Sequence, residues 1–214
     1  HLVVEEKGIY SIENFLMARR LMYWQVYLHK ASVAYERMLI AALLRAKELA
    51  AKDEDLFASP ALRFFLYNDV DRTRFYDDPA CLENFIRLDD NDIWTALKVW
   101  SDHPDKVLST LSTGMVDRRL FKVEISNEPA TEDRKQELTA QIAAALDVTP
   151  AEAAWFVSVP RIEKNMYNPA DDSIDILYKD GTTKNIAEAS DMLNIQLLSK
   201  KVKKYYLCYL RLHR

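Results

Sequence analysis

Residues Ile12–Lys30 read IENFLMARRLMYWQVYLHK, and the fold turns on how this stretch is read. At about 100° per residue, Ile12, Phe15, Leu16, Met22, Tyr23 and Val26 form one stripe of a single amphipathic helix. Arg19 falls in the middle of that stripe, and Arg20 points toward its edge. A guanidinium cannot shed its charge, so Arg19 among Phe, Leu and Met requires an anion or several acceptors. Tyr23 and Tyr27 follow at i+4 and i+8, which sets an anion-seeking fork and two phenols along one side of the helix. That set suits a phosphorylated ligand with a ring or sugar. A buried carboxylate from elsewhere in the fold would satisfy Arg19 equally well.

The surrounding chain supports a sizeable core. With 214 residues, 49% of them hydrophobic and 29% charged, and only three glycines, the composition is that of a helix-rich globular protein of one large domain or two modest ones. A formal net charge of −4 argues against a general or sequence-specific nucleic-acid binder. The richest basic run, Lys200, Lys201, Lys203 and Lys204, precedes YYLCYL and reads as the solvated face of a terminal helix. Cys81 and Cys208 lie far apart in segments that read as helical, which disfavours a disulfide framework and favours a reducing cytoplasm. The apolar runs are too short to span a bilayer, and no segment reads as a signal peptide.

Working outward, residues 9–30 and 31–51 give two long helices, the second with Tyr35, Met38, Leu39, Ala42, Ala46 and Leu49 on one face. Ser59-Pro60 opens a short helix, and DVDRTRFYDDP reads as a loop. LDDNDIWTALKVW carries aspartates just before an apolar-periodic run, the pattern of a capped N-terminus. It lacks the glycine and distal glutamate of an EF-hand. After Gly114 strand signals appear at residues 120–125, 153–159 and 173–177 and in TTKNI, with Asp180-Gly181 as a hairpin turn. Thr131 to Leu146 is a helix with apolar positions at Leu138, Ile142 and Leu146, and a terminal helical segment runs from about Ile186 to Leu212. The expected fold class is α+β, a mainly helical first half (1–113) followed by a small antiparallel-sheet α+β unit (114–214).

Complete catalytic machinery is not visible. The four histidines have no metal-ligand spacing, and neither a Gly-rich loop nor a nucleophile elbow occurs. His29 and Lys30 close the long helix, where the macrodipole favours cations. Arg118, Arg119 and Lys122 form a second basic cluster at the first strand of the α+β unit. Alternation there puts Leu120 and Lys122 on one side, with Arg119 and Phe121 on the other.

The segment VVEEKGIYSIENFLMARRLMYWQVYLHKAS resembles the one that follows the metal-binding core in HD-domain deoxynucleoside triphosphate triphosphohydrolases. VDRRLFKVE resembles that family's Arg-x-Leu-Phe-Lys strand, and DDSIDILYKDGTTKNIAEAS its C-terminal hairpin. The resemblance implies that Arg19 grips the triphosphate, that Tyr27 lines the deoxyribose and that Tyr23 is also in the pocket. It implies an activator-nucleotide site at subunit interfaces, with basic residues falling on Lys7, Arg118 and Lys122, the His29-Lys30 pair nearby and Lys184 a weaker candidate. Three positions depart from the pattern: Glu5 and Gln25 stand where arginines occur, and Ser11 replaces an asparagine. Two lost cations and a gained anion weaken a polyphosphate site.

The family's His…His-Asp…Asp metal ligands would all precede residue 1, and the chain contains no His-Asp dipeptide. The resemblance therefore implies the C-terminal part of a metal-dependent, cytoplasmic dNTP triphosphohydrolase. This part would bind no divalent metal itself and would supply phosphate and sugar contacts and the surface of a homodimer or tetramer. The alternative is a noncatalytic nucleotide-binding regulatory or oligomerisation module.

Overall fold

A computed structural model describes residues 3–164, 173–190 and 202–212. The chain forms two compact units that interleave along the sequence: one holds His1–Val33, Ile125–Pro129 and Pro160–Tyr206, and the other holds Ala34–Glu124, Ala130–Val159 and Leu207–Arg214. Both units draw on chain from either side of residue 113, so they partition the protein differently from the linear division expected at 113/114. The class is the expected one, helical with small, mostly antiparallel sheets. No helix among the described residues is long and apolar enough to cross a membrane.

In the first unit, strand β1 (Val4–Glu5) and a 3-10 turn (Glu6–Gly8) lead into helix α1 (Ile9–Met22), whose last turn passes into a π-helix over Tyr23–Tyr27. Helix α2 (Lys30–Ala50) starts in this unit and carries on into the second. In the second unit follow α3 (Pro60–Tyr67), α4 (Arg72–Asp77), α5 (Pro79–Arg87), α6 (Asp90–Trp100) and α7 (Lys106–Val116). Side-chain caps set their starts: Ser59, Asp71, Asp78, Asp89 and Asp105 each accept a backbone N–H of the first turn, and Asp89 with Asp92 forms a capping box. The cap at Asp71 turns the expected DVDRTRFYDDP loop into α4, a helix too short and polar to show a hydrophobic period.

The remaining elements are β2 (Lys122–Ser126), α8 (Glu132–Leu146), α9 (Pro150–Ala153), β3 (Val157–Ser158), β4 (Arg161–Lys164), β5 (Asp175–Leu177), β6 (Thr183–Asn185), α10 (Ile186–Ala189) and β7 (Val202–Tyr209). β5 and β6 pair antiparallel around Gly181, which adopts a positive φ of 84°, and β1 joins β5 in parallel. Leu16 of α1, Ile176 of β5 and Ile186 of α10 form the fully buried centre of the first unit.

The expected terminal helix is not one. Among the described residues of that segment only Ile186–Ala189 is helical, residues 191–201 lie outside the described ones, and YYLCY lies in β7, which pairs antiparallel with β4 (Arg161 opposite Tyr205) and with β3 (Val157 opposite Tyr209) and neighbours β2. Tyr206 to Tyr209 are all buried, so this central strand has no polar face to betray a two-residue period. Lys203 and Lys204 therefore sit on a strand; Lys200 and Lys201 lie outside the described residues. The expected strand at 153–159 is shortened to Val157–Ser158 by α9 and a 3-10 turn. Cys81 and Cys208 are buried thiols, Cys208 on β7.

The second unit contains a near-buried ion pair. Arg45 of α2 donates from Nε and Nη2 to the two oxygens of Asp105 at 3.1 and 2.5 Å and from Nη1 to Glu48 at 2.9 Å, while Asp105 also caps α7 by accepting the Leu108 N–H. Burial raises the Asp105 carboxyl, but the Arg45 guanidinium and the Leu108 amide outweigh it and hold the group below the usual aspartate value. Asp105→Ala should strand Arg45 and uncap α7, lowering unfolding free energy by about 3–5 kcal/mol in urea titration. A group with a depressed folded value stabilises fully above its unfolded pKa of about 3.9 and loses that contribution as pH falls through the lower folded value. The Asp105→Ala deficit should accordingly shrink in acid below pH ~4.

Candidate functional site

The candidate site is built at the change of helical winding on α1. The Leu28 N–H reaches back to the Tyr23 carbonyl at 2.8 Å, the i→i+5 bond of a π-turn. The break that follows is tied down locally: the Ser32 hydroxyl donates to the Val26 carbonyl at 2.9 Å, and His29 Nδ1 accepts the Ala31 N–H at 3.2 Å. His29 thus caps the start of α2 instead of sitting as a cation at a helix C-terminus, as the sequence suggested, because its own carbonyl already accepts the Val33 N–H.

Along this segment the Arg19 guanidinium carbon lies 6.0 Å from the Tyr23 ring centroid, and the Tyr23 and Tyr27 rings are 5.2 Å apart at 45°. Tyr23 packs against the Leu16–Ile176–Ile186 cluster, whereas Tyr27 is exposed. Among the described residues Arg19 has no hydrogen-bonding or ion-pair partner and the two phenols have no hydrogen-bond partner, so the internal carboxylate that would have made Arg19 structural is not found there. The set can offer a guanidinium fork to a phosphate and two ring faces to a flat or cyclic group.

The surroundings differ from the expected apolar stripe. Phe15, Met22 and Val26 are exposed, Arg19 is only half-buried, and the buried charged side chain of α1 is Glu13, which is 1% exposed. The packed side of the helix runs through Ile9, Ile12, Leu16 and Tyr23. Glu13 accepts a hydrogen bond from the Ser190 hydroxyl through Oε1, while Oε2 has no partner among the described residues. No sequence signal pointed to Glu13, because its only described partner is 177 residues away.

The residues implied for an activator site occupy separate settings. Lys7 is paired with Glu5 at 2.7 Å, the two lying on the surface and drawing the Glu5 carboxyl down and the Lys7 ammonium up through their hydrogen bond. The anion that replaces a cation in the family pattern therefore occupies the ammonium it sits beside. Lys30 is exposed without a partner among the described residues, and Lys184 lies 5.6 Å from the Tyr178 ring centroid.

In the second unit, Arg118 holds a left-handed φ of 58° directly after α7. Its N–H bonds the Met115 carbonyl, and the Arg119 N–H bonds the Gly114 carbonyl at 2.7 Å, a Schellman closure with arginine where glycine is usual. Lys122 pairs with Glu124 at 3.2 Å and lies 5.5 Å from the Tyr209 ring centroid. Among the described residues no three His, Cys, Asp or Glu side chains converge on a metal position.

Residues 1–63, which contain the whole Arg19–Tyr23–Tyr27 array, match the family described as HD associated region. The chain is 76% identical to a phosphohydrolase of solved structure from Bacteroides thetaiotaomicron VPI-5482, with a TM-score of 0.92 over 99% of this chain and 52% of that one. It is also 27% identical over 194 residues to the uncharacterized protein YwfO of Bacillus subtilis (strain 168), covering 88% of this chain and 42% of that protein. The chain thus spans about half the length of these relatives.

Tyr27→Phe tests whether the phenol is free. With no hydrogen bond to lose among the described residues, the variant should melt within about 0.5 kcal/mol of the parent. A large drop in melting temperature would make the hydroxyl structural.

Proposed function

We propose that this chain is the C-terminal part of an HD-type phosphohydrolase that is metal-dependent and cleaves dNTPs to deoxynucleoside and triphosphate. The observation that carries the reading is Arg19, without a hydrogen-bonding or ion-pair partner among the described residues, beside the Tyr23 ring that in turn neighbours Tyr27, all inside the segment that matches an HD associated region. The high identity to a protein named a phosphohydrolase supports the same class of chemistry. In this reading Arg19 neutralises and orients phosphate oxygens, and the Tyr23 and Tyr27 rings form a wall for the deoxyribose. Water adds to phosphorus, the bond to the sugar oxygen breaks, and that oxygen takes up a proton.

Among the described residues no three His, Cys, Asp or Glu side chains converge on a metal position, and in this reading the divalent metal of the whole enzyme is held by residues other than these. Two buried cysteines that stay thiols favour a reducing compartment, and we place the protein in the cytoplasm. Exposed Phe15, Leu21, Met22 and Val26 on α1 and its π-turn favour a homo-oligomer, a dimer or tetramer, that also uses the Arg118–Lys122 region.

The 214-residue chain alone should show no dNTP turnover with Mg²⁺, Mn²⁺ or Co²⁺. In the protein extended upstream, Arg19→Ala should cut triphosphohydrolase activity at least tenfold, in line with about 1.5–3 kcal/mol for a charge-assisted contact. Unchanged kinetics in a folded Arg19→Ala enzyme, or robust turnover by the short chain, would overturn the reading.

A further inference from the structure

The π-turn between α1 and α2 sets where the Tyr27 ring stands. Over four residues an α-helix overshoots a full turn by about 40°, so Tyr23, joined to Arg19 by α winding, is offset from it in that sense. The i→i+5 turn over Tyr23–Tyr27 needs more than four residues to close, so the next four fall short of a full turn and carry Tyr27 back toward the azimuth of Arg19. Tyr23 packs against the Leu16–Ile176–Ile186 cluster, whereas Tyr27 is exposed and takes its place from the backbone winding and from the 5.2 Å contact with the Tyr23 ring.

π winding is uncommon, and here the Val26 carbonyl shows what holds it. In a continuous α-helix that carbonyl would accept the Lys30 N–H, and in a continued π-helix the Ala31 N–H. The Ala31 N–H goes instead to His29 Nδ1 at 3.2 Å. The Val26 carbonyl accepts the Ser32 hydroxyl, six residues on, at 2.9 Å, with the His29 N–H at a longer 3.4 Å. From within an α-helix a serine hydroxyl reaches carbonyls three or four residues back, not six. The Ser32–Val26 bond and continuous α winding are therefore alternatives.

We infer that Ser32 is a positioning residue for the sugar contact of the Arg19–Tyr23–Tyr27 site, an inference that rests on the reading of that site as a dNTP contact. By occupying the Val26 carbonyl, the Ser32 hydroxyl keeps the π winding and with it the alignment of Tyr27 with Arg19. Arg19 lies ahead of the turn in α1, so its attraction for phosphates does not depend on Ser32. What depends on Ser32 is the added affinity for the deoxyribose beside Tyr27. Ser32 thus sets how strongly the site separates a deoxynucleoside triphosphate from triphosphate alone.

Ser32→Ala in the 214-residue chain removes the hydroxyl at an exposed position and raises helix propensity, so the fold is kept, which circular dichroism verifies; Ser32→Thr restores a hydroxyl. Without ligand, the nuclear magnetic resonance coupling across the hydrogen bond of the Leu28 amide should move from the Tyr23 carbonyl to that of Trp24, its α partner, in Ser32→Ala and stay at Tyr23 in Ser32→Thr. With ligand, dGTP affinity should fall about threefold or more in Ser32→Ala while inorganic triphosphate binds within about twofold of the parent. In a Tyr27→Ala background Ser32→Ala should cost no further dGTP affinity. A Leu28 coupling that stays at Tyr23 in ligand-free Ser32→Ala would overturn the role of Ser32 and leave the reading of Arg19 standing. Equal losses for dGTP and triphosphate, or an undiminished loss in the Tyr27→Ala background, would also overturn it. A parent chain that binds neither ligand would overturn the reading of the site and the role of Ser32 with it.

Discussion

Helix α1 buries one side while Arg19 finds no counter-ion among the described residues, and directly after it the winding changes from α to π at Tyr23. Leu16 and Tyr23 pack into the first unit's core beside Ile176 and Ile186. The i→i+5 turn then lets the chain leave that side at Leu28, with the Val26 carbonyl satisfied by Ser32 and the new helix capped by His29. π-turns are rare and weakly bonded, and they recur at functional sites. Here the turn carries Tyr23, whose ring stands next to Arg19, and Tyr27, whose ring stands next to Tyr23. Were the Tyr23–Leu28 bond lost, the spacing of the rings and their distance from the guanidinium would change together.

Electrostatics divides the charged residues into those already neutralised within the fold and those left open. Arg45 is held by Asp105 and Glu48, Lys7 by Glu5, and Lys122 by Glu124, so each would have to give up a carboxylate before serving a ligand. Exposed pairs such as Lys7–Glu5 contribute little to stability, and the ligand has little to overcome there beyond local charge cancellation. Arg19 needs no such exchange. A phosphate meeting it would replace water on the guanidinium, and the Tyr23 ring beside it sets Arg19 apart from unpaired surface cations such as Lys30.

Much of the helical framework was legible because its signals are local. Ser59, Asp89 and Thr131 announce helix starts through side-chain oxygens that accept first-turn amides, and Asp180-Gly181 announces a hairpin through a backbone only glycine adopts freely. What escaped was set by distant chain. The second half of β7, Tyr206–Tyr209, is buried throughout, so it reads like a helix until β2, β3 and β4 are placed beside the strand. Glu13 looks like an ordinary polar position, and only Ser190 shows it to be interior. The Arg19–Tyr23–Tyr27 spacing was visible, but its setting was not: the helix packs through Leu16 and Tyr23, leaving Phe15, Met22 and Val26 exposed, and no sequence pattern marks a π-turn.

The central claim is that the first unit presents Arg19, Tyr23 and Tyr27 as a ready phosphate and sugar contact. Titration of inorganic triphosphate into the isotope-labelled 214-residue chain, followed by nuclear magnetic resonance at the Arg19 Nε–H and the backbone amides, addresses it directly. The account predicts saturable shifts centred on Arg19 and on Tyr23–Tyr27. Shifts confined to Arg118 and Lys122 with Arg19 unmoved, or no saturable response, would contradict it.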